Sequence, residues 1–239
     1  GPLNPGRPAE GAFYVDLRQG PDEETQYLAS YTMDTAYNGT AYTHDMISFD
    51  DGGMTLHLEK RRTRGVPFRG AEFHRSGFYG YGRYEVVMRP ARGSGVGSSF
   101  FTHTFSQFGD PHDEIDIEFL GKNTRQVELN YFTNGKSAGG KLVPLPFDYT
   151  EGFHLYAFEW TPDAIRWFID DRMVHEVKAS TAKLPLPTTT GRVIANIWAG
   201  RGDTQQWTGP ATTERASAAY RCMSHVPLGG TGRQCSDLN

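Results

Sequence analysis

The sequence predicts an all-β fold, an antiparallel β-sandwich, and three observations carry that reading. Composition is the first: 28 Gly, 14 Pro and 13% aromatic residues, with no long Leu-, Ala-, Glu- or Lys-rich helical stretch. The second is a series of about a dozen short strand-like runs separated by turn signals. The third is the lack of the strand–helix–strand alternation that marks a parallel sheet. In order, 13–17 (Phe-Tyr-Val-Asp-Leu) reads as a first strand, and 54–59 (Met-Thr-Leu-His-Leu-Glu) alternates apolar and polar residues, which turns one face to a core. Between them, Tyr37-Asn38-Gly39-Thr40 is a turn signal. Strands follow at 71–76, 81–89 and 99–105, then an acidic strand within 113–121, then 126–132. The pattern continues through 153–160, 164–170, 172–177, 192–199 and about 216–226, with a tight hairpin at Ile169-Asp170-Asp171-Arg172-Met173. No repeat, low-complexity tract or linker interrupts the series. Residues 11–239 therefore read as one domain, behind a Pro/Gly-rich and disordered tail at 1–10.

At 239 residues the chain is long enough to bury a substantial core. A formal net charge of −4 leaves no basic footprint for nucleic acid. No apolar run approaches the ~20 residues that cross a membrane as a helix. The two cysteines, Cys222 and Cys235, stand close together near the C-terminus. A disulfide over that short loop, which Gly229, Gly230 and Gly232 make easy to fold back, fits an exported protein; two idle thiols are the alternative. The start, Gly1-Pro2-Leu3-Asn4-Pro5-Gly6, reads as a protease-cleavage scar, so a leader is expected to have been removed. Asn38-Gly39-Thr40 also fits an N-glycosylation acceptor, a motif frequent by chance.

The chemistry concentrates in Asp113-Glu114-Ile115-Asp116-Ile117-Glu118-Phe119-Leu120-Gly121. On a strand, period two puts Glu114, Asp116 and Glu118 on one face and Ile115, Ile117 and Phe119 on the other. Three carboxylates in file repel one another and raise one another's pKa values. Such a row suits one protonated and one ionised carboxyl near neutral pH, the requirement for cleaving a glycosidic bond; a solvated acidic face is the alternative. Trp198 and Trp207 lie in a Gly-rich stretch, where flat rings suit stacking on sugars, although core tryptophans would read the same way.

The acidic run resembles the signature of glycoside hydrolase family 16, which includes licheninases (endo-β-1,3-1,4-glucanases), succinoglycan depolymerases and xyloglucan endotransglycosylases. Gly80-Tyr81-Gly82-Arg83-Tyr84-Glu85-Val86, Asn130-Tyr131-Phe132-Thr133-Asn134-Gly135 and Asn196-Ile197-Trp198 resemble licheninase segments in the same order, so the likeness runs over about 37 to 209. It implies a concanavalin-like jelly roll with a concave substrate cleft. Of the two signature forms in the family, the chain has the regular E-x-D-x-E, without the extra residue of laminarinases and agarases. Carried over residue by residue, Glu114 resembles the nucleophile, Glu118 the general acid/base and Asp116 the carboxylate between them. Residues i and i+4 of a strand have Cα atoms roughly 13 Å apart, so a retaining pair about 5–5.5 Å apart requires the carboxyls to converge; retention is implied by the family alone.

Asn38, Glu72, Phe101, Asn130, Trp198 and Trp207 match cleft residues of licheninases. Departures stand beside them: His74 replaces an arginine, His103 a tyrosine, His112 an aromatic residue and Phe132 a second tyrosine. For each histidine the alternative is a satisfied surface residue. Three of them in one cleft suit a decorated or acidic glucan, since they lose stacking surface and add donors. Licheninases also hold a structural calcium partly through an aspartate near the C-terminus. The nearest equivalent is Arg221, which cannot ligate calcium, although Asp50-Asp51-Gly52-Gly53 still offers oxygens. The expectation is no metal, and no Cys/His grouping suited to zinc is visible.

The expected protein is thus a secreted, extracellular or periplasmic, retaining endo-β-glycanase acting as a monomer. Its polysaccharide substrate would be a mixed-linkage β-glucan or a related bacterial exopolysaccharide, with no cofactor and neither nucleic acid nor membrane as partner. The alternatives are a transglycosylase, which passes the glycosyl group to another sugar, and a lectin-like binding domain, which would have no need of both Glu114 and Glu118.

Overall fold

The structure is a computed structural model in which residues 8–238 are described. In chain order the strands begin β1 (Phe13–Asp16), β2 (Gln26–Leu28), β3 (Thr32–Asp34), β4 (Gly39–Tyr42), β5 (Ile47–Asp50) and β6 (Gly53–Glu59). They continue β7 (Phe68–Tyr79), β8 (Gly82–Arg89), β9 (Val96–His103), β10 (Glu114–Leu120), β11 (Gln126–Thr133) and β12 (Lys136–Ser137). The last are β13 (Lys141–Pro144), β14 (His154–Trp160), β15 (Ala164–Ile169), β16 (Arg172–Lys178), β17 (Gly191–Ala199) and β18 (Arg215–Pro227).

They form a curled, jelly-roll-like half-barrel of two packed layers. One layer runs β2, β7, β17, β9, β10, β11, with β12 and β13 along the outer side of β11. The other runs β16, β15, β14, β8, β18; β6 and β1 share the far side of β18, and β5 pairs outside β6. These pairings are antiparallel; β4 instead runs parallel to the start of β7, with β3 beside it.

Alternation in the sequence decides which side chains fill the space between the layers. Ile115, Ile117 and Phe119 of β10 are buried there, with Phe100 of β9 and Val193, Ala195 and Ile197 of β17. Against them lie Tyr84, Val86, Tyr156, Phe158, Ile165 and Trp167 from the other layer. Each of the larger apolar side chains among them contributes about 1.5–3 kcal/mol by leaving water. Two hydrogen bonds cross the core to the strands that matter later: Trp167 Nε1 donates to the Asp116 carbonyl at 3.2 Å, and the Tyr220 hydroxyl to the Ser99 carbonyl at 2.7 Å.

The expected strands are present with shifted ends. The turn signalled at 37–40 lies two residues earlier, at 35–38: Asn38 N–H donates to Thr35 Oγ1 at 2.9 Å, and Gly39–Tyr42 is already strand β4. Strands β2, β3, β5, β12 and β13 were not anticipated, because runs of two to four residues carry no usable period. The hairpin at 169–173 is built as expected, with Asp170 and Asp171 at φ 48° and 65°, the left-handed pair of a tight two-residue turn. Within the tail expected to be disordered, Glu10 N–H donates to the Phe78 carbonyl at 2.7 Å, and 1–7 lie outside the described residues. Cys222 and Cys235 are joined in a disulfide.

Candidate active site

Strand β10 lies between β9 and β11 with no register shift on either side, so its outward residues face cross-strand partners in rows. Glu114 lies between His103 and Phe132, Asp116 between Phe101 and Asn130, and Glu118 between Ser99 and Glu128. One strand further, β17 sets Arg192 opposite His103, Ile194 opposite Phe101, Asn196 opposite Ser99 and Trp198 opposite Gly97. On β7, His74 and Glu72 lie opposite Ile194 and Asn196. The absence of a bulge agrees with the regular E-x-D-x-E form.

Each carboxyl of β10 has its own surroundings. His112 Nε2 is 2.7 Å from Glu114 Oε1 and His103 Nε2 is 3.5 Å from the same oxygen. The rings of His103 and His112 stack with centroids 4.7 Å apart, and Phe132 stacks on His112 at 5.0 Å. Burial opposes ionisation of Glu114, but hydrogen bonds from Asp116 and His112 and the two imidazoles outweigh it and hold this carboxyl below its ordinary range. The same hydrogen bond to Glu114 raises the pKa of His112. Burial, then the charge of Glu114 and the hydrogen bond to it, push Asp116 well up. Burial also pushes Glu118 well up, reinforced by Glu114 and Glu128 and only partly offset by the 3.0 Å hydrogen bond from Trp198 Nε1. Nearby, Trp207 Nε1 donates to Glu128 Oε1 at 3.0 Å, so two indoles hold two facing glutamates.

Local sequence makes this geometry. Gly97 is required because a Cβ there would lie 2.5 Å from Trp198 Nε1 and 2.7 Å from Glu118 Oε1. Asp113, buried, accepts from the backbone N–H of Asn134 at 3.0 Å, Thr188 at 3.1 Å and Thr189 at 3.2 Å. It thereby ties the entry of β10 to two loops, and Gly135 N–H donates to the His112 carbonyl at 2.9 Å.

The other expected residues divide into two groups. Phe101, His103, His112, Asn130, Phe132, Trp198 and Trp207 gather around the carboxylates. Asn130 is committed in part to its own turn, donating to Ser137 Oγ at 2.9 Å and accepting from Gly140 N–H at 3.1 Å. Glu72 is buried and held by His74 Nε2 at 2.7 Å, Asn196 Nδ2 at 3.1 Å and the Tyr31 hydroxyl. His74 is 1% exposed, with its other ring nitrogen 3.4 Å from Arg192, so it supports Glu72 from beneath and does not offer a free donor to the groove. Asn38 is 4% exposed and bridged to Gly200, and its burial rules out the glycan acceptor in this fold.

Glu128, Ser99, Asn196, Tyr31 and Arg192 were not singled out from the sequence. Period two would have found three of them, since Glu128 is two before Asn130, Ser99 two before Phe101 and Asn196 two before Trp198. Zinc-type chemistry needs a correction. No Cys/His grouping shows in the sequence, but pairing of β9 with β10 brings ligand atoms of His103, His112 and Glu114 within 4.8 Å of one another. Arg221, read from the sequence as the counterpart of the family's calcium aspartate, has its guanidinium 3.7 Å over the Phe153 ring.

One face of this cleft thus holds one carboxyl with a lowered pKa and two with raised ones, flanked by indoles and phenyl rings. The sequence profile of glycosyl hydrolases family 16 matches residues 33–217. A β-glucanase of Bacillus licheniformis is 47% identical over 199 residues, 83% of this chain and 79% of that protein. A prokaryotic β-1,3-1,4-glucanase (lichenase) from a mouse hindgut metagenome superposes with TM-score 0.85 at 32% identity, covering 92% of this chain and 100% of the other. A transglycosylase shares the fold at TM-score 0.75 and 23% identity, over 95% of this chain and 89% of that one. With the carboxylate file, the regular signature strand and these likenesses in agreement, the chain belongs to glycosyl hydrolases family 16, as a licheninase-like glycoside hydrolase.

Proposed function

We propose that this single domain is a secreted, retaining endo-β-glucanase that hydrolyses internal bonds of a β-1,3/1,4-linked glucan. The feature that carries the reading is the division of labour along β10: on one face of one strand, the Glu114 carboxyl is held below its ordinary range while burial pushes that of Glu118 well above it. In this reading Glu114 attacks the anomeric carbon and forms a glycosyl-enzyme as Glu118 gives its proton to the departing glycosidic oxygen. Glu118 then takes a proton from water, which attacks the same carbon and frees Glu114. Asp116 hydrogen-bonds Glu114 and helps hold that carboxyl low, while the charges of Glu114 and Glu128 add to burial in raising Glu118. The disulfide supports an exported protein, because such bonds persist in oxidising compartments.

A neutral polymer suits the groove better than an acidic one. The ring nitrogens of His74 are committed to Glu72 and Arg192, and His103 and His112 turn toward Glu114. Glu114, the carboxyl held below its ordinary range, carries its charge at the centre of this face, which is unfavourable to an acidic chain. Activity on barley-type mixed-linkage glucan, xyloglucan and an acidic exopolysaccharide, compared as kcat/KM, tests the substrate. Nuclear magnetic resonance of the first product tests retention. Glu114→Ala and Glu118→Ala are each expected to lose several orders of magnitude in turnover with the fold intact. Azide is expected to rescue Glu114→Ala as the inverted glycosyl azide; near-normal activity in either variant refutes the assignment.

A further inference from the structure

We propose that His103, His112 and Glu114 form a binding site for a divalent ion of the zinc class, and that such an ion, once bound, blocks the cleft by occupying the nucleophile position. The site is assembled from two strands and a loop end. His103 is the cross-strand partner of Glu114, and His112 precedes Glu114 by two residues. Nε2 of both rings points at Glu114 Oε1, at 2.7 Å and 3.5 Å, and the three ligand atoms lie within 4.8 Å of one another. In a tetrahedral zinc site with bonds of about 2.0–2.1 Å, neighbouring ligand atoms are roughly 3.3 Å apart, so small side-chain movements suffice to admit the ion.

The tautomer of His103 is suited to ligation. Its Nδ1 faces the Thr104 carbonyl, which can only accept, so with an ion bound the Nδ1 proton has a partner and the Nε2 lone pair is free for the metal. Rotation of the rings is restrained by the His103–His112 stack and by Phe132 against His112, with Phe101 at 6.3 Å from His103. The side chains of His103, His112 and Glu114 are 34%, 39% and 17% exposed, so an ion reaches them from the groove, and a fourth position stays open to water. Two imidazoles with one carboxylate select zinc or copper over magnesium or calcium, which require oxygen ligands. The ion would then hold the Glu114 carboxylate and compete with the sugar for the group that must reach the anomeric carbon.

Isothermal titration of the whole folded chain with zinc chloride, with no chelator in the buffer and the fold checked by circular dichroism, reads the site directly. One ion per chain is expected, about tenfold or more weaker in His103→Ala and in His112→Gln. His57→Ala, on β6 of the other layer, is expected to leave binding unchanged, and magnesium to give no heat. Undiminished binding in both cleft variants overturns the site, as does equal loss in His57→Ala. The blocking part rests on the proposed glucan hydrolysis: zinc should abolish release of reducing ends and a chelator should restore it. A chain inactive on every glucan fails that reading and still leaves the titration to decide the site, whereas full activity at saturating zinc overturns the block.

Discussion

At the scale of single residues, the acid of this site is tuned by one indole. Burial pushes the Glu118 carboxyl well up, and the hydrogen bond from Trp198 pulls it part of the way back. Trp198→Phe keeps the ring and removes the donor. Its loss favours the protonated acid, so the basic limb of the kcat/KM profile should move to higher pH, because that limb reports the acid of the free enzyme. The lost hydrogen bond to a reacting carboxyl should also lower kcat/KM by about tenfold. An unmoved basic limb would mean that Trp198 serves the sugar alone.

At the scale of the element, β10 presents its carboxylates in register because its first turn is anchored. Asp113 satisfies three backbone N–H groups from two loops, and these loops carry Asn134, Gly135, Thr188 and Thr189. Asp113→Ala leaves those donors buried without an acceptor, which should cost about 3 kcal/mol of stability. His112, the neighbour of Asp113, should lose its position over Glu114, so turnover should fall even where the variant is folded. Denaturant unfolding together with turnover checks both; a variant as stable as the parent would show the anchor to be redundant.

At the scale of the whole molecule, one buried histidine makes the sandwich sensitive to acid. His225 of β18 packs between Tyr84 at 4.2 Å and Tyr79 at 5.5 Å, and burial pushes its imidazole down to about 4. The unfolded chain takes up that proton near pH 6.5, so stability is full above that value and declines as pH falls towards about 4. The shift corresponds to about 3 kcal/mol. His225→Phe should flatten this part of the stability curve, measured by denaturant midpoints between pH 7 and 4. A slope equal to the parent's would assign the acid sensitivity to carboxylates instead.

The sequence by itself determined what depends on local alternation. Glu114, Asp116 and Glu118 share a face because successive strand side chains point to opposite sides, and the same rule buries Ile115, Ile117 and Phe119. It also determined the layered β class and the tight turn at Asp170-Asp171, where backbone chemistry is local. Only the tertiary structure decided the register of β9 and β11 against β10 and the place of β17 beyond β9, because register is set by the whole sheet and Asn196 is remote in sequence from the residues it faces. That is why His74 read as a cleft donor and is a buried support for Glu72. The same pairing joins His103 to His112 around Glu114, and it sets the environments that split the carboxyl pKa values. Burial and cross-strand charge create those differences, and both are properties of neighbours that a one-dimensional pattern does not contain.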